Sequence, residues 1–363
     1  MDRGCVTYSI AYLTGIIAAG AFSHYLLPSF PSVAILIPLC IILRKNALPF
    51  IIFSHLALFY AGAGGYSIAK EKENHQNSRL HSAITSKAAS AHHHASNYIK
   101  NYASHPNNHA ILCALTIGNK NGIGKDLKEA YSKAGALHIL ALSGLHVGIM
   151  YSILQTLLYP LKLFPAIKWL TDTVSILFIL IYVIVSGCSP SVVRAGTMII
   201  VYKIGKLSFR DIGKWDSIAL SALIMGAAAP LQVKSIGFQL SYAAVTGISL
   251  LYPILQKSFL HIFKQPGRLW RFPYYSALKL WENISISICC QIATLPILLY
   301  HFGESAQFFL ITNLIAIPMA KAILYIFVLA ITLQWIPFAD TLLVEALNFL
   351  INFMNSSINY ISS

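Results

Sequence analysis

Ala136-Leu-His138-Ile-Leu-Ala-Leu-Ser143-Gly144-Leu-His146-Val-Gly148-Ile149 is apolar enough to enter a bilayer, yet it carries three polar side chains. Polar groups are costly in hydrocarbon, so in membrane helices they face a protein interior or a water-filled path. Gly144 and Gly148 stand four apart, the small-xxx-small spacing that lets two membrane helices approach closely. The stretch predicts a packed helix that lines something rather than a simple anchor.

The rest of the chain has the same character. Of 363 residues, 56% are hydrophobic and only 10% are charged, and the mean hydropathy is +0.65. Soluble domains carry about 25% charged residues, so the composition excludes an ordinary soluble enzyme. It predicts an all-α polytopic membrane protein. The net charge is +14, from 26 Lys and Arg against 12 Asp and Glu. Basic cytoplasmic loops and attraction to anionic lipid account for such an excess, and so does a polyanionic substrate such as nucleic acid. The six cysteines form no CxxC pair, and five sit in apolar runs. They read as small buried hydrophobes, with no disulfide framework, metal site or cofactor expected.

Apolar runs at 5–27, 33–43 and 47–66 make residues 1–66 an N-terminal transmembrane region, with 5–27 read as a retained first span. Residues 67–136 are polar and helix-like, with nine basic residues against four acids and no period-2 alternation. Within them His92, His93 and His94 read as a solvated tract. Apolar runs resume at 137–160, 171–187, 190–204, 216–229, 237–255 and 284–301, and the run 307–336 is long enough for two shorter segments. Residues 137–336 form the membrane core. Residues 337–363 form a C-terminal amphipathic or packing helix, with Leu343, Ala346, Phe349, Leu350, Phe353 and Met354 at helical spacing. Roughly ten membrane segments are expected in all. Basic clusters at Arg44 and Lys45, at Lys162 and Lys168, at 203–214 and at 257–279 fall inside if the N-terminus is cytoplasmic, which leaves 67–136 outside.

Four more polar constellations interrupt the apolar runs. In Gly187-Cys-Ser189-Pro190-Ser191-Val-Val-Arg194-Ala195, Ser189 is placed to cap a helix beginning at Pro190. A helix N-terminus presents free N–H groups and partial positive charge, and Arg194 adds a permanent cation, so an anion or phosphate contact is expected there. Gly237-Phe-Gln239-Leu-Ser241-Tyr, Gln291-Ile-Ala-Thr-Leu-Pro296 and Asn313-Leu-Ile-Ala-Ile-Pro318 each place an amide in an apolar segment. Interhelical hydrogen bonding explains each amide taken singly. Pro296 and Pro318 are expected to break or kink their helices, which at membrane depth is tolerated where the helix is buried or faces a cavity.

The ordered set His138-Ile-Leu-Ala-Leu-Ser-Gly-Leu-His146, Gly187-Cys-Ser-Pro-Ser-Val-Val-Arg194, Gly237-Phe-Gln-Leu-Ser241, Thr294-Leu-Pro296 and Asn313-Leu-Ile-Ala-Ile-Pro318 resembles the ComEC competence family. The resemblance covers about 110–336 strongly and the N-terminal spans more weakly. It implies an inner-membrane channel component, not an enzyme, that passes single-stranded DNA into the cytoplasm during natural transformation. Full-length members also carry an OB-like domain and a metallo-β-lactamase-like domain. Neither pattern is present here, and Ser235-Ile236 stands where the family commonly has an acidic residue nearby. A separate external DNA receptor, a separate nuclease and a cytoplasmic ATPase are therefore expected as partners, beside single-stranded DNA and the lipid bilayer.

On this reading His138, Ser143, His146, Ser189, Ser191, Arg194, Gln239, Ser241, Gln291 and Asn313 line or bind the DNA path, and Gly144, Gly148, Pro190, Pro296 and Pro318 set helix packing and breaks. Lys120, Lys125, Lys128 and Lys133 supply an electrostatic approach, and Phe238, Tyr242 and Phe302 are placed either to stack on bases or simply to pack. The alternative is a secondary transporter for a small anion, which broken helices and a buried arginine also suit. Against it, the acids read as lying in loops or near segment ends. A hydrolase built on Ser143 and His146 lacks a carboxylate to orient the histidine.

Overall fold

The computed structural model describes residues 9–14, 16–17, 61–62, 66, 79–164, 167–207, 213–262, 271–303 and 309–362. The expected span 33–43 lies wholly outside them and 5–27 and 47–66 mostly so, and the loop residues Arg44, Lys45, Arg210, Lys264 and Arg268 lie outside as well. The described residues are overwhelmingly helical and contain no strand. The all-α prediction is met.

In chain order the helices are α1 Arg79–Ile99, α2 Pro106–Ile117, α3 Lys125–Lys133, α4 Leu137–Leu140, α5 Gly144–Leu157, α6 Tyr159–Lys162, α7 Lys168–Val185, α8 Pro190–Leu207, α9 Lys214–Ala228, α10 Ile236–Ile262, α11 Arg271–Phe302, α12 Phe309–Leu333 and α13 Pro337–Ser362. Three stretches among the described residues are long and apolar enough to cross a membrane: Ile236–Ser258, Ala277–Phe302 and Ile311–Leu333. Trp169–Val185 is a shorter apolar helix. Ten spanning helices are not present among the described residues. The shortfall has local causes. The run 137–160 is divided into α4, α5 and the start of α6, α8 carries Arg194, Lys203 and Lys206, and α9 has only 15 residues. The 307–336 run forms one helix rather than two.

The chain divides into two compact units, one of residues 1–83 with 197–242, the other of residues 84–196 with 243–363. The second is built on a hairpin of α12 and α13, whose buried faces are Ala316, Ala320, Ile323, Leu324 and Phe327 on one side and Leu347, Ile351, Met354 and Ile358 on the other. α2 packs into the same core. Ile111, Leu112, Ala114 and Leu115 are fully buried. The described part of the 67–136 stretch, 79–136, is thus largely helical as expected, but not uniformly polar. A stretch that is apolar but for Thr116, whose hydroxyl donates to the Leu112 carbonyl, must be covered, as Ala110–Ile117 is.

Helix ends follow their sequence signals. α3 and α7 both stop in the paired-bond turn that favours a left-handed residue. In α3, Gly135 (φ 74°) donates to Ser132 and Ala136 to Tyr131. In α7, Gly187 (φ 69°) donates to Ile184 and Cys188 to Val183. Cys188 follows with φ 53°, a left-handed conformation rare for a residue with a side chain. Pro296 and Pro318 correct the expectation of breaks, because both stand inside uninterrupted helices of 32 and 25 residues. Each proline removes one N–H, and the bonded turns on either side carry the helix through.

The first unit has its own order. Ser9 Oγ donates to the Ala219 carbonyl at 2.8 Å, and Ser217 Oγ donates to that of Met198 at 2.8 Å. α10 begins on Ser235, whose carbonyl accepts from Phe238 and Gln239 and whose hydroxyl accepts from Phe238 at 3.3 Å. The residue that departs from the family's acidic pattern is thus a helix cap.

Candidate functional site

The opening motif is not one helix. α4 ends at Leu140, Ala141 is extended (φ −86°, ψ 125°), and α5 restarts at Gly144 with Ser143 as its cap. The turn-and-restart places His146 at the third position of α5, where a Glu or Gln side chain usually reaches back to the cap. Here the imidazole does so. Ser143 N–H donates to His146 Nδ1 at 3.3 Å, and the Ser143 hydroxyl lies 3.1 Å from the same nitrogen. An Nδ1 that accepts leaves the proton on Nε2. His146 is completely buried, and Nε2 has no hydrogen-bond partner. Among the described residues no carboxylate is seen to orient it, as a hydrolytic serine–histidine pair would require.

His138, on α4, is solvent-accessible although protein crowds it. Its Nδ1 lies 2.9 Å from the Gly135 carbonyl. Its ring is near enough to interact with both the His146 imidazole and the Asn313 amide. Asn313 Oδ1 itself has no partner at hydrogen-bond geometry, so that contact is loose. The neighbouring Thr312 fixes its position, because the Thr312 hydroxyl donates to the Ala134 carbonyl at 2.7 Å in a buried contact. This tie joins α12 to the turn that precedes α4. Thr312 was not among the sequence candidates, although a hydroxyl beside an intramembrane amide is a readable signal.

Gly144 brings in the second motif. A Cβ built on it would lie 3.5 Å from Ala195 Cβ, so α5 begins against the second turn of α8. Gly148 has nothing within 4 Å of its Cβ position. The close approach therefore comes from the first glycine of the pair. α7 and α8 meet more closely still at Gly196, whose Cβ position lies 3.1 Å from a Val183 and 3.2 Å from an Ile179 side-chain carbon.

Arg194 is 2% exposed, and its Nη2 donates to the Ser191 hydroxyl at 3.1 Å. It is an interior cation, not one laid open at the membrane surface. Ser189 precedes α8 as expected, and its carbonyl accepts from Val193 at 3.0 Å. Its hydroxyl is buried without a partner, so the predicted side-chain cap is absent. His92 of α1 lies 3.7 Å from the Cβ position of Gly187, so the histidine tract is not wholly solvated.

Three of the five motifs therefore meet: the 138–146 turn, the 187–195 turn and Asn313. Gln291 stands on α11 with a buried, unpartnered Oε1. Gln239 and Ser241 belong to the other compact unit. Gln239 Nε2 donates to the Lys234 carbonyl at 3.3 Å, and Ser241 is half-buried. In that unit Phe238 is buried with its ring 4.5 Å from that of Tyr242, and in the second unit Phe302 is exposed. Lys120, Lys125, Lys128 and Lys133 are all exposed, and Lys133 forms an ion pair with Glu129 at 2.9 Å.

Charged side chains stand within the qualifying spans. Glu282 falls inside the Ala277–Phe302 span, near enough to interact with Tyr252, because α11 begins well before the apolar run does. Lys321 stands in the middle of Ile311–Leu333. A cysteine–histidine contact was missed as well. His109 Nε2 lies 3.3 Å from Cys113 Sγ, but burial pushes the thiol up, against thiolate formation.

A sequence model of the family described as Competence protein matches residues 115–363, which include every motif of the site. The chain belongs to the ComEC competence family. It is 30% identical over 213 residues to ComE operon protein 3 of Bacillus subtilis strain 168, covering 59% of this chain and 25% of that protein. It is 24% identical over 228 residues to the uncharacterized protein YcaI of Escherichia coli K12, covering 61% of this chain and 28% of that protein. The chain thus spans about a quarter of the length of these curated relatives. No solved structure matches it. The family assignment and the apolar helices together describe a membrane protein.

Proposed function

We propose that this ComEC-family chain is an inner-membrane channel component that passes single-stranded DNA into the cytoplasm during natural transformation. The observation that carries the reading is the meeting of three motifs around Gly144. An interior arginine, two helix N-termini and several unsaturated polar atoms share one region of an apolar protein. Helix N-termini and a guanidinium favour a phosphodiester. Unsaturated but uncharged groups such as His146 Nε2 and Asn313 Oδ1 offer exchangeable hydrogen bonds, which suit conduction better than a tight site does.

In this reading the three qualifying spans, Trp169–Val185 and the N-terminal apolar runs are membrane segments, with the N-terminus cytoplasmic. The exposed lysines of 120–133 attract the strand from outside. A separate receptor, nuclease and ATPase supply capture, strand degradation and energy.

The small-anion transporter remains the second reading, and Glu282 inside a span gives it a membrane acid that the sequence alone had not shown. Complementation of a deletion strain separates the two. With the protein verified in the membrane, restored entry of labelled DNA supports the channel. Failure to restore it, with uptake of a labelled small anion instead, supports the transporter.

A further inference from the structure

Lys321 is the eleventh of 23 residues in the span Ile311–Leu333, whose mean hydropathy of 2.4 is the highest of the three spans. At 1.5 Å per residue it lies about 15–18 Å from the two ends of the span. A hydrocarbon core is about 30 Å thick, so this is the midplane. A lysine near a helix end snorkels to the headgroups, and one at the middle has no such route. It must face another polar group or a polar path.

The faces of α12 show which. Ala316, Ala320, Ile323, Leu324 and Phe327 are buried in the hairpin core. Ile317, Lys321 and Tyr325, spaced four apart, run along the flank of that face beside Pro318, with Ile317 and Tyr325 half-buried against the core and Lys321 exposed. They line an open groove of about 510 Å³ together with Asn283 of α11. Sites for small ligands run to about 300–1,000 Å³, so the groove has room for a nucleotide-sized group. Lys321 is exposed in it, and its ammonium stands 5.9 Å from the Tyr325 ring centroid. The Tyr325 hydroxyl lies 3.0 Å from that of Ser152 on α5. Among the described residues no carboxylate reaches the ammonium within 4.0 Å.

We infer that this groove is a second phosphodiester contact on the path of the translocating strand, with Lys321 as its cation and Asn283 and Tyr325 as its polar walls. The inference rests on the channel reading above. Lipid headgroup phosphate shares the chemistry, but it lies out of reach of a midplane lysine. A cation beside an aromatic face suits single-stranded nucleic acid, where a charged groove follows the backbone and bases stack on rings. Ser152 extends the polar wall onto α5, the helix that His146 opens.

The test uses the full chain in complemented deletion cells, with uptake expressed per protein molecule in the membrane. Lys321→Met makes the span more apolar, so it does not hinder insertion. Losing one charged contact worth about 1.5 kcal/mol lowers uptake about tenfold, and Lys321→Arg retains most of it. In a second arm, Lys321→Cys meets a single strand carrying a thiol-reactive group on one phosphate. An adduct is expected above the wild-type background. Wild-type uptake by Lys321→Met, no adduct above background, or a change confined to co-purified lipid phosphorus would each overturn the inference and leave the channel reading standing. Failure of the wild-type chain to restore uptake would remove the channel reading, and this one with it.

Discussion

Two regions of the second unit use buried polar side chains in opposite ways. Where α13 crosses the turn between α1 and α2, every polar group of the Asn348 side chain is used. Its Oδ1 accepts from Ser104 N–H and from Asn108 Nδ2, both at 2.9 Å, and its Nδ2 donates to the Tyr102 and Val344 carbonyls. Nearby on α13, Asn355 accepts from the fully buried Tyr131 hydroxyl at 2.8 Å. Around Gly144, by contrast, His146 Nε2, Ser189 Oγ and Asn313 Oδ1 are buried with nothing to bond. A saturated group is structural. An unsaturated one costs stability, and on the channel reading proposed above those around Gly144 are kept for a strand that passes.

That contrast makes the two regions separable by mutation. The largest loss of stability is expected from Asn348→Ala, which strands an amide, a backbone N–H and a carbonyl. About 3 kcal/mol or more should go, read as a lowered thermal midpoint in detergent, while uptake per folded molecule is kept. Tyr131→Phe removes one buried hydrogen bond and should cost about 1 kcal/mol by the same assay. His146→Leu gives up the cap contact but also relieves a stranded Nε2–H, so stability should shift by less than about 1 kcal/mol while DNA uptake falls. A destabilisation matching that of Asn348→Ala would make His146 a structural residue and erase the distinction. Gly148→Ala meets open space and should gain about 0.5 kcal/mol, with uptake unchanged.

The sequence was legible where its signal was local. Low charge and long apolar runs predicted the helical membrane protein, and Ser189 with Pro190 marked the start of α8. Reading failed where local pattern and tertiary demand part. α2 was hidden among polar neighbours, although Ala110–Ile117 is apolar but for Thr116. The break at 141–143 has no proline or glycine within it, and only the serine–histidine cap reveals it. Pro296 and Pro318 were over-read, because a long bonded helix absorbs one missing donor. Lys321 was passed over because a single charge scarcely alters the hydropathy of its window.

The central claim is that the interior cation among the unsaturated groups serves a passing DNA strand. The direct measurement is nuclease-protected, labelled single-stranded DNA recovered from the cytoplasm of complemented deletion cells, normalised to folded protein in the membrane. Arg194→Ala is compared there with wild type. With wild type restoring uptake, the account predicts a fall of about tenfold or more for Arg194→Ala, the effect of losing one charged contact of about 1.5–3 kcal/mol. Equal uptake per folded molecule would contradict it.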